Sequence, residues 1–228
     1  MGRIEILSLS RHYENALYWP APQMVLSTRK GMHRFSWDLH FDPIGDEPRA
    51  GGGGTGAVPH RTYPRVRAPW APPGEYTVRL TVNGEQFSQP LSLRLDPRVK
   101  TSAEDLARVA SLSREMYDGA VAANAAYEEA RALVAELDAA GNRDAMAEVE
   151  ALAPAPQPRS NRRFRRSAPT GPPTLASVSE AMMDAAMAMQ AADVAPTMRM
   201  IAACDTARAQ FEELMSRWSA LKTSSSMR

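Results

Sequence analysis

Two hydrophobic periods divide this chain near residue 100. In the first part, apolar residues alternate with polar ones, as they do on a half-buried strand. "RIEILSL" places Ile4, Ile6 and Leu7 among polar neighbours, and "QMVLST" is a short apolar run. "GMHRFSWDLHFDP", residues 31–43, sets His33, Phe35, Trp37, Leu39 and Phe41 against Met32, Arg34, Ser36, Asp38 and His40. That alternation predicts a strand with Phe35, Trp37, Leu39 and Phe41 facing a core. The clearest signal is "GEYTVRLTVNGEQFSQPLSLRL". Tyr76, Val78, Leu80 and Val82 alternate with Glu75, Thr77, Arg79 and Thr81. Asn83-Gly84 supplies the two positive-φ residues of a tight hairpin turn, and Phe87, Leu91, Leu93 and Leu95 lie on the return strand. Several short strands with such turns predict a small antiparallel β-sandwich over 1–100, interrupted by a Gly/Pro-rich loop at 45–73.

After "DPRVKTSAEDL" the period lengthens to that of a helix. Thr101 followed by Glu104 reads as a capping box, with Asp105 also in the first turn. Leu106, Val109, Leu112, Met116, Ala120, Ala123, Tyr127, Ala130, Val134 and Leu137 then recur every three or four residues, up to Gly141, a suitable C′ residue. Asn142 caps a further short helix through Leu152. An Ala/Met-rich helical block runs from Thr174 to Ala192. A last helix is expected to start at Pro196, with Ile201, Cys204, Ala207, Phe211, Leu214, Trp218 and Leu221 on its buried face. The expected fold class is therefore α+β: a β-sandwich, then over 101–228 an antiparallel bundle of about three helices. The bundle is interrupted at 153–173 by "APAPQPRSNRRFRRSAPTGPP", whose composition is that of a disordered connector.

Charge is distributed by segment. Residues 1–100 carry 13 basic and 9 acidic side chains, 101–152 carry 4 and 11, 153–173 carry five arginines and no acid, and 174–228 carry 5 and 6. The net charge of +1 gives no global pull toward nucleic acid or an anionic membrane. "RRFRR" (Arg162, Arg163, Phe164, Arg165, Arg166) is the one arginine–aromatic run that could meet RNA or an acidic partner. As a single short run in a Pro-rich linker it argues for a solvated loop rather than for nucleic-acid binding. No apolar run approaches the roughly 20 residues of a bilayer span, and no signal-peptide core is read at the N-terminus.

Catalytic and metal chemistry find little to use. His33 and His40 are an odd number of residues apart, so a strand points them to opposite faces; Asp38, His40 and Asp42 alone form a weak ligand set. No metal site, catalytic residue or cofactor is expected. No G-x-S-x-G occurs, and the single cysteine, Cys204, occupies an apolar helix position. The Gly-rich stretch lacks the Lys-Ser/Thr ending of a phosphate loop. Tyr18, Trp19 and Trp70, in loop or pre-strand contexts, are the candidates for stacking on a sugar ring.

"GMHRFSWDLHFDP", "RAPWAPPGEYTVRLTVNGEQFSQPLSLRLDPRVKTSAEDL" and "ADVAPT" together resemble the C-terminal region of large bacterial proteins with sortilin-type or BNR-repeat β-propellers, a group commonly labelled glycosyl hydrolases. The resemblance covers Ile4 to about Lys222. It implies an Ig-like module followed by helices, a neighbouring β-propeller or another protein as partner, carbohydrate as a further candidate ligand, and a periplasmic or extracellular setting. The chain has no S-x-D-x-G-x-T Asp-box and none of the ~40–45-residue blade repeats. The expectation is a fragment, a truncated gene or a diverged stand-alone remnant, acting as a non-catalytic accessory module. The alternatives are a glycosyl hydrolase and a glycan-binding module.

Overall fold

The computed structural model describes residues 30–35, 37, 39–44, 67–156 and 171–226. The chain divides into two compact units, Met1–Ala71 and Pro72–Arg228. Tyr18, Trp19 and Arg162 to Arg166 lie outside the described residues, as do the expected strands at 4–7 and 23–28 and most of the 45–73 loop and 153–173 linker.

In the first unit, the described residues of 31–43 carry no strand where one is expected. Leu39 has φ +64°, in the left-handed region, where the alternation requires extended backbone. What remains is one antiparallel bridge, His40 to Trp70. Beside it the Phe41 amide donates to the Pro69 carbonyl at 2.9 Å and the Ala71 amide to the Leu39 carbonyl at 2.7 Å. Phe35, Trp37 and Leu39, expected in a core, are 47%, 36% and 38% exposed.

The second unit opens with an antiparallel hairpin, β1 (Gly74–Val82) and β2 (Glu85–Leu93). Its register runs from Val82↔Glu85 at the turn to Gly74↔Leu93 at the base. Asn83 (φ +50°) and Gly84 (φ +88°) form the two-residue turn that Asn-Gly favours. Among the described residues this is the whole sheet. The α+β class stands, while the second sheet of a sandwich is not among the elements seen.

Four helices follow: α1 (Ala103–Ala139), α2 (Arg143–Leu152), α3 (Leu175–Met189) and α4 (Met198–Ser226). Ser102, one residue beyond the expected Thr101, caps α1. Its hydroxyl accepts from the Asp105 amide at 3.1 Å and donates to the Asp105 carboxylate at 2.7 Å. Thr101 instead donates to the Asp193 carbonyl at 2.5 Å. Gly141 (φ +71°) turns the chain after α1, and the Asn142 side chain caps α2 by accepting from the Ala145 amide at 3.3 Å. Thr174 and Ser177 form a reciprocal cap at the start of α3. Thr197, rather than Pro196, adjoins the first turn of α4, its hydroxyl accepting from the Met200 amide at 3.3 Å.

Among the described residues the bundle has four helices in three lanes, where about three helices are expected. Arg208 pairs with Glu115 and Lys222 with Glu129 (2.6 Å); these are equal steps along both helices, so α4 runs parallel to α1. The return lane is shared. The end of α2 meets the second half of α1, where Tyr127 donates to the Pro154 carbonyl at 3.0 Å and Arg131 to the Ala153 carbonyl at 3.1 Å. Toward the first half of α1, Ser179 of α3 donates to the Ala120 carbonyl at 2.9 Å.

The core lies along the seams. Val109, Ser113, Met116, Ala120, Ala123, Ala130 and Val134 of α1 are buried, as are Cys204, Ala207, Leu214 and Trp218 of α4. Steps of three and four residues give the seven-residue repeat of coiled-coil packing. α3 contributes Leu175, Val178, Met182, Ala186 and Met189. Complete burial of a Leu- or Met-sized side chain contributes about 1.5–3 kcal/mol. The many alanines, and Gly119 facing Met182, let the helices come close.

Candidate interaction surface

The hairpin is amphipathic by construction. Alternation places Tyr76, Val78, Leu80 and Val82 on one face of β1, and the register sets Leu91, Gln89, Phe87 and Glu85 opposite them. The other face holds Glu75, Thr77, Arg79 and Thr81 opposite Ser92, Pro90, Ser88 and Gln86. The apolar face is uncovered among the described residues: Val78 is 52% exposed, Leu80 45%, Val82 44% and Phe87 53%. Leu91 and Leu93, nearer the base, are half-buried. The Tyr76 hydroxyl donates to the Pro72 carbonyl at 2.5 Å, and partial burial pushes its pKa up. This contact ties the base of the hairpin to the Pro72-Pro73 entry.

Of the three candidate sugar-stacking residues, the structure describes Trp70. Its side chain is 46% exposed, and its ring lies 3.7 Å from that of His40 at an interplanar angle of 34°. Trp37 donates its indole N–H to the His40 carbonyl at 3.0 Å. The sequence singled out Trp70 but read His40 only as a ligand candidate. The bridge between the two segments, not visible from local spacing, makes it a ring partner.

Among the described residues no group of three or more His, Cys, Asp and Glu side chains could hold a metal ion. Cys204 is fully buried, and that burial pushes its thiol pKa up, away from a reactive thiolate. Arg208 lies between Glu115 and Asp205, and its bonds to both carboxylates hold the guanidinium charged. Asp96 is pulled below the usual carboxylate range by hydrogen bonds from Arg98. These are structural ion pairs at the surface. A polar hollow where α2 meets the end of α4, lined by Leu137, Asn142, Asp144, Glu148, Leu221 and Ser224, holds two carboxylates and the Ser224 hydroxyl, which donates to the Leu221 carbonyl at 2.9 Å.

No helix among the described residues is long and apolar enough to cross a membrane. Comparison with known protein families, with characterised proteins and with solved structures gives no match.

Proposed function

We propose that this chain is a non-catalytic interaction module, an Ig-like element and a helical bundle that pack beside a β-propeller of the sortilin or BNR-repeat kind. The observation that carries this reading is the hairpin's exposed apolar face, centred on Val78, Leu80 and Phe87, backed by a polar face. A two-stranded hairpin is marginal in water unless one face is covered. A protein surface is the natural cover for a strip of aliphatic and aromatic side chains.

Calorimetric titration of the full chain with a purified sortilin-type β-propeller tests it. Binding is expected, and Leu80→Glu with Phe87→Glu should abolish it while leaving the helical circular-dichroism signal intact. Absence of binding refutes the reading, as does hydrolysis of aryl glycosides or sialosides by this chain alone.

The half-exposed Trp70 ring supports a second reading, a glycan-binding module, since an indole face braced by another ring offers a platform for a sugar. Tryptophan fluorescence titrated with sialyllactose and with cello-oligosaccharides should change and saturate. Trp70→Ala should remove that response.

A further inference from the structure

The two edges of the hairpin are not equivalent. The turn has two residues, so Val82↔Glu85 closes as a hydrogen-bonded pair and the pattern alternates from there. The backbone groups of Glu75, Thr77, Arg79 and Thr81 therefore point away from β2, and those of Gln86, Ser88, Pro90 and Ser92 point away from β1. Pro90 has no N–H and stands in the middle of the outward row, which blunts the β2 edge. The β1 edge has no proline, and every outward residue on it keeps its donor. Among the described residues no other strand pairs with it. Nine residues of open edge are a template for another strand.

The side chains on that edge choose the occupant. In a two-fold antiparallel pairing of β1 with β1 of a second copy, centred on Thr77, Glu75 of each chain stands opposite Arg79 of the other. Thr77 faces its own counterpart, and on the apolar face Tyr76 stands opposite Val78. Centring on Val78 would leave Glu75 opposite Thr81 and Arg79 opposite Thr77, with no charge pair, and centring on Arg79 would oppose the two arginines, where like charges directly opposite are unfavourable. Glu75 and Arg79 have no ion-pair partner in their own chain among the described residues. The edge is thus self-complementary in charge in one register, as an isologous interface must be.

We infer that β1 is a self-association edge: two copies of this chain join through antiparallel β1–β1 pairing about Thr77, making one four-stranded sheet from two hairpins. The inference concerns the edge of the hairpin, not the apolar face invoked above, so either can fail without the other.

Sedimentation equilibrium of the full chain across a concentration series should show a reversible dimer. Thr77→Pro removes an outward donor that β1–β2 pairing does not use, and should raise the dimer dissociation constant at least tenfold. Glu75→Arg should weaken the dimer several-fold, and adding Arg79→Glu to the same chain should restore it. Thr77→Cys supplies a readout that survives any loss of stability in the proline variant. Hydrogen-bonded residues across an antiparallel pair lie ~5.5 Å apart at Cα, within disulfide reach. Mild oxidation should cross-link Thr77→Cys, and should not cross-link Thr81→Cys, which lies off the axis. The native Cys204 is buried and does not compete. A chain monomeric at all concentrations overturns the proposal, including a monomer whose Thr77 amide is protected from hydrogen exchange by another segment of the same chain. So does a dimer that neither responds to the Glu75 and Arg79 changes nor cross-links at residue 77.

Discussion

Gly119 sits inside a 37-residue helix, where replacing glycine by alanine ordinarily stabilises by about 1 kcal/mol. Here the opposite sign is expected. A Cβ on residue 119 would lie 2.3 Å from Met182 Cε and 2.6 Å from its Sδ, where ordinary carbon contacts are ~3.5–4.0 Å. The thioether would have to move by more than an ångström. A methionine tip is flexible, but Met182 is only 2% exposed, so its new position must be found inside the bundle. Overpacking of this kind costs about 1–3 kcal/mol, so Gly119→Ala should be between neutral and about 2 kcal/mol destabilising. Met182→Ala alone should cost about 2–5 kcal/mol through the cavity it leaves. In that background Gly119→Ala should become favourable by about 1 kcal/mol, because the clash is gone and the helix preference remains. The coupling between the two sites is then ~1–3 kcal/mol, measured by urea denaturation of the four proteins followed by circular dichroism. If Gly119→Ala stabilises equally in both backgrounds, α1 and α3 do not approach closely at Gly119, and the packing argument fails.

Other expectations concern the cap, the core and the buried thiol. Ser102→Ala removes the hydroxyl that caps α1 and should lower stability by about 0.5–2 kcal/mol, whereas Thr101→Ala should cost less; comparing the two denaturation midpoints locates the cap. The Ser113 hydroxyl is buried without a hydrogen-bond partner, so Ser113→Ala should raise stability by about 0.5–2 kcal/mol, read in the same assay. Because burial raises the Cys204 pKa above its unfolded value, the thiol's contribution is fully present below the unfolded value of ~8.5 and is lost as pH rises through the folded one. Stability should therefore fall between pH 8 and 10 more steeply for the native chain than for Cys204→Ala. Below that range a thiol reagent should label the native chain only as fast as it unfolds.

The sequence by itself determined the hairpin, with its turn at Asn83-Gly84, and the four helical segments with their seams. These features depend on neighbours in the chain: the period of two or 3.6, the positive-φ preference of Asn-Gly, and the small polar residues at helix starts. The α1 cap is Ser102, one residue beyond the expected Thr101, and α4 starts at Met198, two residues beyond the expected Pro196, because neighbouring residues can each supply the hydroxyl or the fixed φ that a first turn favours. Tertiary structure alone decided the rest. It placed α2 and α3 in one lane, since only the pairs Arg131–Ala153 and Ser179–Ala120 say which half of α1 each helix meets. Among the described residues of 31–43 it left no strand, with Leu39 left-handed and Phe35 and Trp37 exposed. Among the described residues it also left the hairpin's apolar face exposed and its β1 edge open. Alternation says which side chains share a face, but what covers that face depends on surfaces far away in sequence or on another molecule.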